Sequence, residues 1–175
     1  MAVAVEPERA RPRAGVETPA TIARDGDALR GYLAASLEPH PVLLRWAIVV
    51  RPAPADEAAL LSAARDLLVE ARRDRERLAI RTGDTAADAL LDALAPLLGD
   101  LLVDLTQRQR EVARLILVDG LRQSQVAARL GVARATISVM TARGHLRSIA
   151  RLVTAIRLVV GERTAAAAAP AEPPR

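Results

Sequence analysis

The sequence predicts an α+β fold: a small strand–helix–strand N-terminal domain followed by an all-helical domain. Three observations carry this reading. Val42–Arg51 and Arg77–Thr82 each read as a strand with an apolar face opposite a face that bears arginine, with a helical stripe between them. From Thr85 onward, apolar residues recur at spacings of three and four. The charge also changes sign along the chain. Residues 1–105 hold 13 Arg against 17 Asp plus Glu, whereas residues 106–175 hold 12 Arg against 4 acids. These shifts divide the chain into a disordered tail (1–20), an N-terminal α/β domain ending in a Leu-rich helix (21–104), a helical domain (105–161) and a second disordered tail (162–175).

Taken in order, Asp27–Leu37 reads as a short helix. Val42–Arg51 reads as a strand with Leu44, Trp46, Ile48 and Val50 on one face and Arg45 and Arg51 on the other. Trp46 is placed against the core, and Pro52 and Pro54 close the strand. Asp56–Asp74 is a helix with Leu60, Ala64, Leu67 and Leu68 inward. Arg77–Thr82 is a second strand, so both strands have an arginine-bearing side. Strand, helix and strand at this spacing imply a right-handed crossover between parallel neighbours. Two strands alone are marginal, so a third is expected near Thr18–Arg24 or from a partner chain. Thr85 with Asp88 resembles a capping box. It opens a leucine-rich helix through Leu105 that Pro96 and Gly99 kink or divide.

Thr106-Gln107-Arg108-Gln109 is a better capping box, opening a helix through Val118 that Asp119-Gly120 ends. After Gly144, the stripe Ile149, Leu152, Val153, Ile156 and Val159/Val160 is an amphipathic closing helix. It packs on its own domain or serves a homodimer.

Composition removes several classes of chemistry. There is no cysteine and no lysine, and the two histidines, His40 and His145, lie far apart. A thiolate or His/Cys zinc site, a P-loop and Schiff-base catalysis are thereby excluded. No Ser/His/Asp or paired-carboxylate constellation stands out. The sequence makes no case for an enzyme, and no catalytic residue, cofactor or metal ligand is assigned. Asp25-Gly26-Asp27 reads as a turn and helix cap. No apolar run approaches the roughly 20 residues of a membrane span. Met1–Ala20 lacks the apolar segment of a secretory signal, so a cytoplasmic protein without membrane contact is expected.

The most informative segment is 123–142. Val126, Leu130, Val132, Ile137 and Met140 are apolar where two helices would face each other. Ala127 is small where they would cross, and Gly131 suits a left-handed turn. This spacing predicts a helix-turn-helix with helices 123–131 and 133–144, its second helix entering the major groove of duplex DNA. A plain helical hairpin is the alternative. Arg134, Ala135, Thr136, Ser138 and Val139 are then the base-facing residues. Arg134 suits a guanine or a phosphate, and a methyl group suits thymine. Arg108, Arg122, Gln123, Ser124, Gln125 and Arg143 are the backbone-facing set. Arg122 and Ala133 stand where Ser, Thr or Asp usually cap such helices. Arg143, Arg147 and Arg151 recur every four residues, as a solvated edge or as backbone contacts.

The segment Leu105-Thr-Gln-Arg-Gln-Arg-Glu-Val-Ala-Arg-Leu, Asp119-Gly-Leu, Val126-Ala-Ala-Arg-Leu-Gly-Val and Thr136-Ile-Ser resembles region 4 of sigma factors and the LuxR-type regulators. The resemblance covers about 50 residues. It implies a four-helix DNA-binding module and, from the sigma factors, RNA polymerase as a further partner. From about residue 40 to 157 the layout is similar to the SatD-like family, through Ala63-Ala-Arg-Asp-Leu-Leu, Ala87-Asp-Ala-Leu-Leu-Asp-Ala-Leu and Leu105-Thr-Gln-Arg-Gln-Arg-Glu. That family's front segment with Gly-Asp motifs has no counterpart here. The functional expectation is a transcriptional regulator that reads duplex DNA. The competing expectation is a protein-interaction module docking RNA polymerase or a regulator without specific DNA readout.

Overall fold

In the computed structural model, residues 1–7, 20–22, 28–38, 44–51 and 55–168 are described. The fold is mixed α+β, and it begins where the sequence predicts a tail. Ala2–Pro7 form strand β1, which lies between β2 (Ala20–Ile22) and β3 (Leu44–Val49). It runs antiparallel to both, pairing Val3 with Thr21 on one side and with Ile48 on the other. The tail reading fails because Ala-Val-Ala-Val is too short and too small-residued to mark a strand alone. Its ladder partners lie some 20 and 45 residues away, and they supply the hydrogen bonds that hold it. Residues 8–19 lie outside the described residues, as do Asp25-Gly26-Asp27, Pro52 and Pro54.

The expected crossover unit is present in outline. Helix α2 (Glu57–Arg73) connects β3 to β4 (Leu78–Arg81), and the two strands pair in parallel with Trp46 opposite Leu78. The Asp56 carboxylate caps α2 by accepting from the Ala58 N–H at 3.1 Å. The sheet order is β2-β1-β3-β4, so the third strand expected near residue 20 is the edge.

The arginine-bearing side of the strands is buried too. Ala2, Ala4, Ala47, Val49 and Ala79 form that face and pack against Leu60, Ala64, Leu67, Leu68 and Ala71 of α2. Small residues on the sheet let the helix sit close. Arg45 is consequently 5% exposed, with its Nε donating to the Glu76 carbonyl at 2.8 Å. On the opposite face, Val3, Ile48, Val50, Leu78 and Ile80 meet helix α1 (Ala28–Ser36) and helix α3 (Thr85–Val103). Trp46 is half-buried there, its ring edge-on to Tyr32 with centroids 5.8 Å apart.

Helix α3 differs from expectation at both of its signals. Its N-cap is Asp84, whose carboxylate accepts from the Ala87 N–H at 2.9 Å. Asp88 instead turns back to accept from the Thr82 N–H and hydroxyl and from the Gly83 N–H, so Thr85 with Asp88 is not a capping box. Pro96 lies inside α3, which continues through it and through Gly99 to Val103. Gly99 serves close packing: a β-carbon there would stand 3.1 Å from the Arg77 Cβ and 3.3 Å from the Tyr32 hydroxyl.

Four helices follow: α4 (Gln107–Leu117), α5 (Gln123–Leu130), α6 (Arg134–Arg143) and α7 (Leu146–Ala168). The tail expected from residue 162 is thus helical as far as Ala168. Alanine has the highest helix propensity, and the run from Ala165 extends a helix already nucleated by the packed turns before it. Residues 169–175 lie outside the described residues.

The boundary expected between 104 and 105 does not divide the core. One apolar cluster runs from Val3, Leu33 and Ile80 through Leu91, Leu98, Leu102 and Leu105 to Val112, Ile137, Ile149, Val153 and Ile156. Helix α3 packs on β4 and on α7, so it belongs to both halves. Arg114 of α4 ties them further by donating to the Ala34 carbonyl at 3.0 Å and pairing with Glu38. Arg30 of α1 reaches the Val118 carbonyl at 3.4 Å.

Candidate nucleic-acid interface

The helical half starts from strong local signals. Thr106 and Gln109 form the expected reciprocal cap: the Thr106 N–H donates to Gln109 Oε1 at 2.8 Å, and the Gln109 N–H to Thr106 Oγ1 at 3.4 Å. Val112, Ala113 and Leu115 of α4 are buried. Gly120, at φ +70°, ends the chain's run along α4, and the Leu121 N–H closes back on the Leu115 carbonyl at 2.9 Å.

Arg122 cannot accept a hydrogen bond and leaves α5 without a side-chain cap. Gln125 compensates in part, its Oε1 accepting from the Arg122 N–H at 2.8 Å. Val126 and Ala127 face inward. Gly131 has φ +64° and ψ +32°, the left-handed turn expected there, and the Val132 N–H donates to the Ala127 carbonyl at 3.0 Å. Ala133 precedes α6 without a side-chain cap.

On α6, Ile137 is fully buried and Met140 half-buried, which aims the opposite side at solvent. Arg134, Ala135, Ser138, Val139, Ala142 and Arg143 share that exposed side. Four of the five expected base-facing residues therefore lie together. Thr136 stands apart, half-buried on the flank of the helix. Val139 is 49% exposed, an apolar side chain held in water on a surface otherwise rich in charge.

The expected backbone-facing residues gather less evenly. Ser124 and Gln125 are exposed at the start of α5, beside Arg122. Gln123 is half-buried, and its Nε2 donates to Thr141 Oγ1 at 3.3 Å, joining the start of α5 to the far half of α6. Arg108 is exposed on α4 and pairs with Glu111 at 2.6 Å. Arg110 turns inward to the Val103 carbonyl at 3.0 Å and supports α4.

The electrostatics of the surface are one-sided. From Gly120 to Gly161 there are seven arginines and no aspartate or glutamate. A face of this kind attracts phosphate at long range. Residues 98–166 match the family described as TrfB plasmid transcriptional repressor (KORA). The match covers under half of the chain, taking in the end of α3, all of α4, α5 and α6, and most of α7. It supports a DNA-binding transcription regulator family, at that level and without singling out the sigma-factor, LuxR-type or SatD-like families. No curated protein and no solved structure matches the chain.

No helix among the described residues is long and apolar enough to cross a membrane. Among those residues no group of three or more His, Cys, Asp or Glu side chains is placed to hold a metal ion.

A feature that sequence reasoning missed is a groove of about 510 Å³ beside α6. Its floor is Ile116, Leu117 and Leu146, and its rim carries Gln123, Ser138, Thr141, His145, Arg147 and Ser148. Gln123 and Ser148 are 25 residues apart, so no local pattern announces the grouping. The turn between α6 and α7 borders it. His145, not Gly144, takes the left-handed conformation, with φ +51°. Gly144 provides room instead: a β-carbon there would lie 3.2 Å from Leu105 Cδ2 and from the Met140 carbonyl.

Proposed function

We propose that this protein is a transcriptional regulator that reads duplex DNA through α6, within a module resembling region 4 of sigma factors. The observation that carries the reading is the exposed stripe of Arg134, Ala135, Ser138 and Val139, held outward by buried Ile137 within a segment, 120–161, that contains no acidic residue. Arginine can meet guanine through two hydrogen bonds, and alanine and valine methyl groups can meet the thymine methyl. The start of α5, with Gln123, Ser124 and Gln125, sits at the flank where backbone contacts position such a helix. The match of residues 98–166 to a plasmid transcriptional repressor family supports the coarser part of this reading, a DNA-binding transcription regulator. On this reading the protein acts as a cytoplasmic, non-enzymatic regulator, and a homodimer would read a two-fold site.

Selection from random duplexes by the purified full chain tests the proposal. The expected product is an enriched sequence whose binding weakens steeply with salt. A palindromic product adds the dimer. No enrichment and no salt-sensitive binding would overturn DNA reading and favour docking to RNA polymerase or to another regulator.

A further inference from the structure

The groove beside α6 continues the exposed stripe of that helix. Arg134, Ser138 and Ala142 are spaced by four and align along α6. Ser138 and Ala142 also line the groove. A surface track therefore runs from the first residue of α6 into the space between α4, α5, α6 and α7. Gln123, the first residue of α5, forms its second wall, and the first turn of α7 forms its third.

Above an apolar floor, the polar part of the lining is donor-rich and carries a cation. The rim presents hydroxyls from Ser138 and Ser148, the imidazole of His145 and the guanidinium of Arg147, all on exposed residues. None of the lining residues is acidic. Arg147 and Ser148 lie in the first turn of a 23-residue helix, where the peptide dipoles add a partial positive charge. Donors, a cation and an acid-free wall, open to solvent and continuous with the track along α6, fit a chain of phosphates passing across the surface.

We infer that this groove seats the phosphate backbone of one DNA strand, with Arg147 and Ser148 of α7 as donors beside Gln123 of α5. The inference rests on the DNA reading of α6 and extends it: α7 contacts the duplex as well as packing on α3. Because phosphate is the same in every sequence, these contacts strengthen all duplexes alike and position the helix without choosing the bases.

The test compares three variants of the full chain by anisotropy on the selected duplex and on a random duplex, at several salt concentrations. Arg147→Ala should weaken both roughly tenfold and lower the slope of log affinity against log salt by about one unit. Ser148→Glu, which sets a carboxylate in the groove, should weaken both at least as much. Arg157→Ala removes the same charge from the same helix outside the groove and should change each far less. Equal losses for Arg147→Ala and Arg157→Ala would overturn the seat in favour of a general field. Unaltered binding by Arg147→Ala and Ser148→Glu, on a wild-type chain that does bind, would overturn this inference and leave the reading of α6 standing. A wild-type chain that binds no duplex overturns both.

Discussion

Arg134 occupies the first position of α6, exposed and at the head of the stripe that includes Ser138 and Val139. If its guanidinium reads a base, Arg134→Ala should cost roughly 1–3 kcal/mol on the selected duplex and much less on random duplex. Titrations on both duplexes separate this from a phosphate contact, which would weaken the two together. Gly131 is set by conformation alone. Its φ of +64° lies in the left-handed region, yet a β-carbon there would meet nothing within 4 Å. Gly131→Val should therefore destabilise the protein by more than about 1 kcal/mol through backbone strain. Chemical denaturation checks it, and an unchanged midpoint would remove the turn from the argument. Tyr32 offers a third test. Burial raises its hydroxyl pKa to about 12, partly offset by the hydrogen bond with Ser36. The raised value favours the neutral form in the folded state, so its contribution is complete below pH 10. It is lost as pH rises from about 10 to 12, on the order of 3 kcal/mol in all. Stability of Tyr32→Phe measured across that range should fall less steeply than that of the wild type.

At the scale of elements, local chemistry governs the starts of helices more than their ends. Thr106 and Gln109 form the reciprocal cap that their types and spacing announce, because both partners lie within one turn. Thr106→Ala should cost about 1 kcal/mol, read as a lower denaturation midpoint with unchanged slope. Asp84 and Asp88 show the limit of the same logic. The expected box has Thr85 as cap and Asp88 as its partner, but Asp84 caps α3 while three donors of the Thr82-Gly83 turn bind Asp88. The glycines divide likewise. Gly131 is legible from its place between two periodic segments. Gly99 reads as a helix breaker but lies in close packing against Arg77 and Tyr32, and Gly144, read only as the end of a helix, sits as close to Leu105. Nothing nearby in the chain identifies those neighbours.

For the whole molecule, the continuous core changes what a fragment can do. The charge reversal at 105 suggests a helical domain that folds alone, yet α7 packs on α3, and Leu98, Leu102 and Leu105 sit in one cluster with Ile149, Val153 and Ile156. The full chain should therefore unfold in one transition, with Trp46 fluorescence and far-ultraviolet circular dichroism coincident. Trp46 packs on the shared cluster and should report the loss of the helical half as well as its own. Two separated transitions would restore independent domains. The single core also places α1 against α4 through Arg114 and Arg30, so the sheet half braces the helix that precedes the pair proposed to meet DNA.

The elements with a repeating pattern or a cap inside one turn were determined by the sequence itself: β3, α2, β4, the start of α4, the turn at Gly131 and the outward side of α6. In each, the deciding interactions lie within a few residues, so side-chain type and spacing suffice. The tertiary structure alone decided the rest. Strand β1 exists because Thr21 and Ile48 flank Val3. The arginine side of the sheet is buried because α2 returns over it. The groove exists because α4, α5, α6 and α7 bring together residues up to 34 positions apart, from Ile116 to Ala150. Such partners are chosen by burial and hydrogen bonding across the folded chain, which no window of local sequence contains.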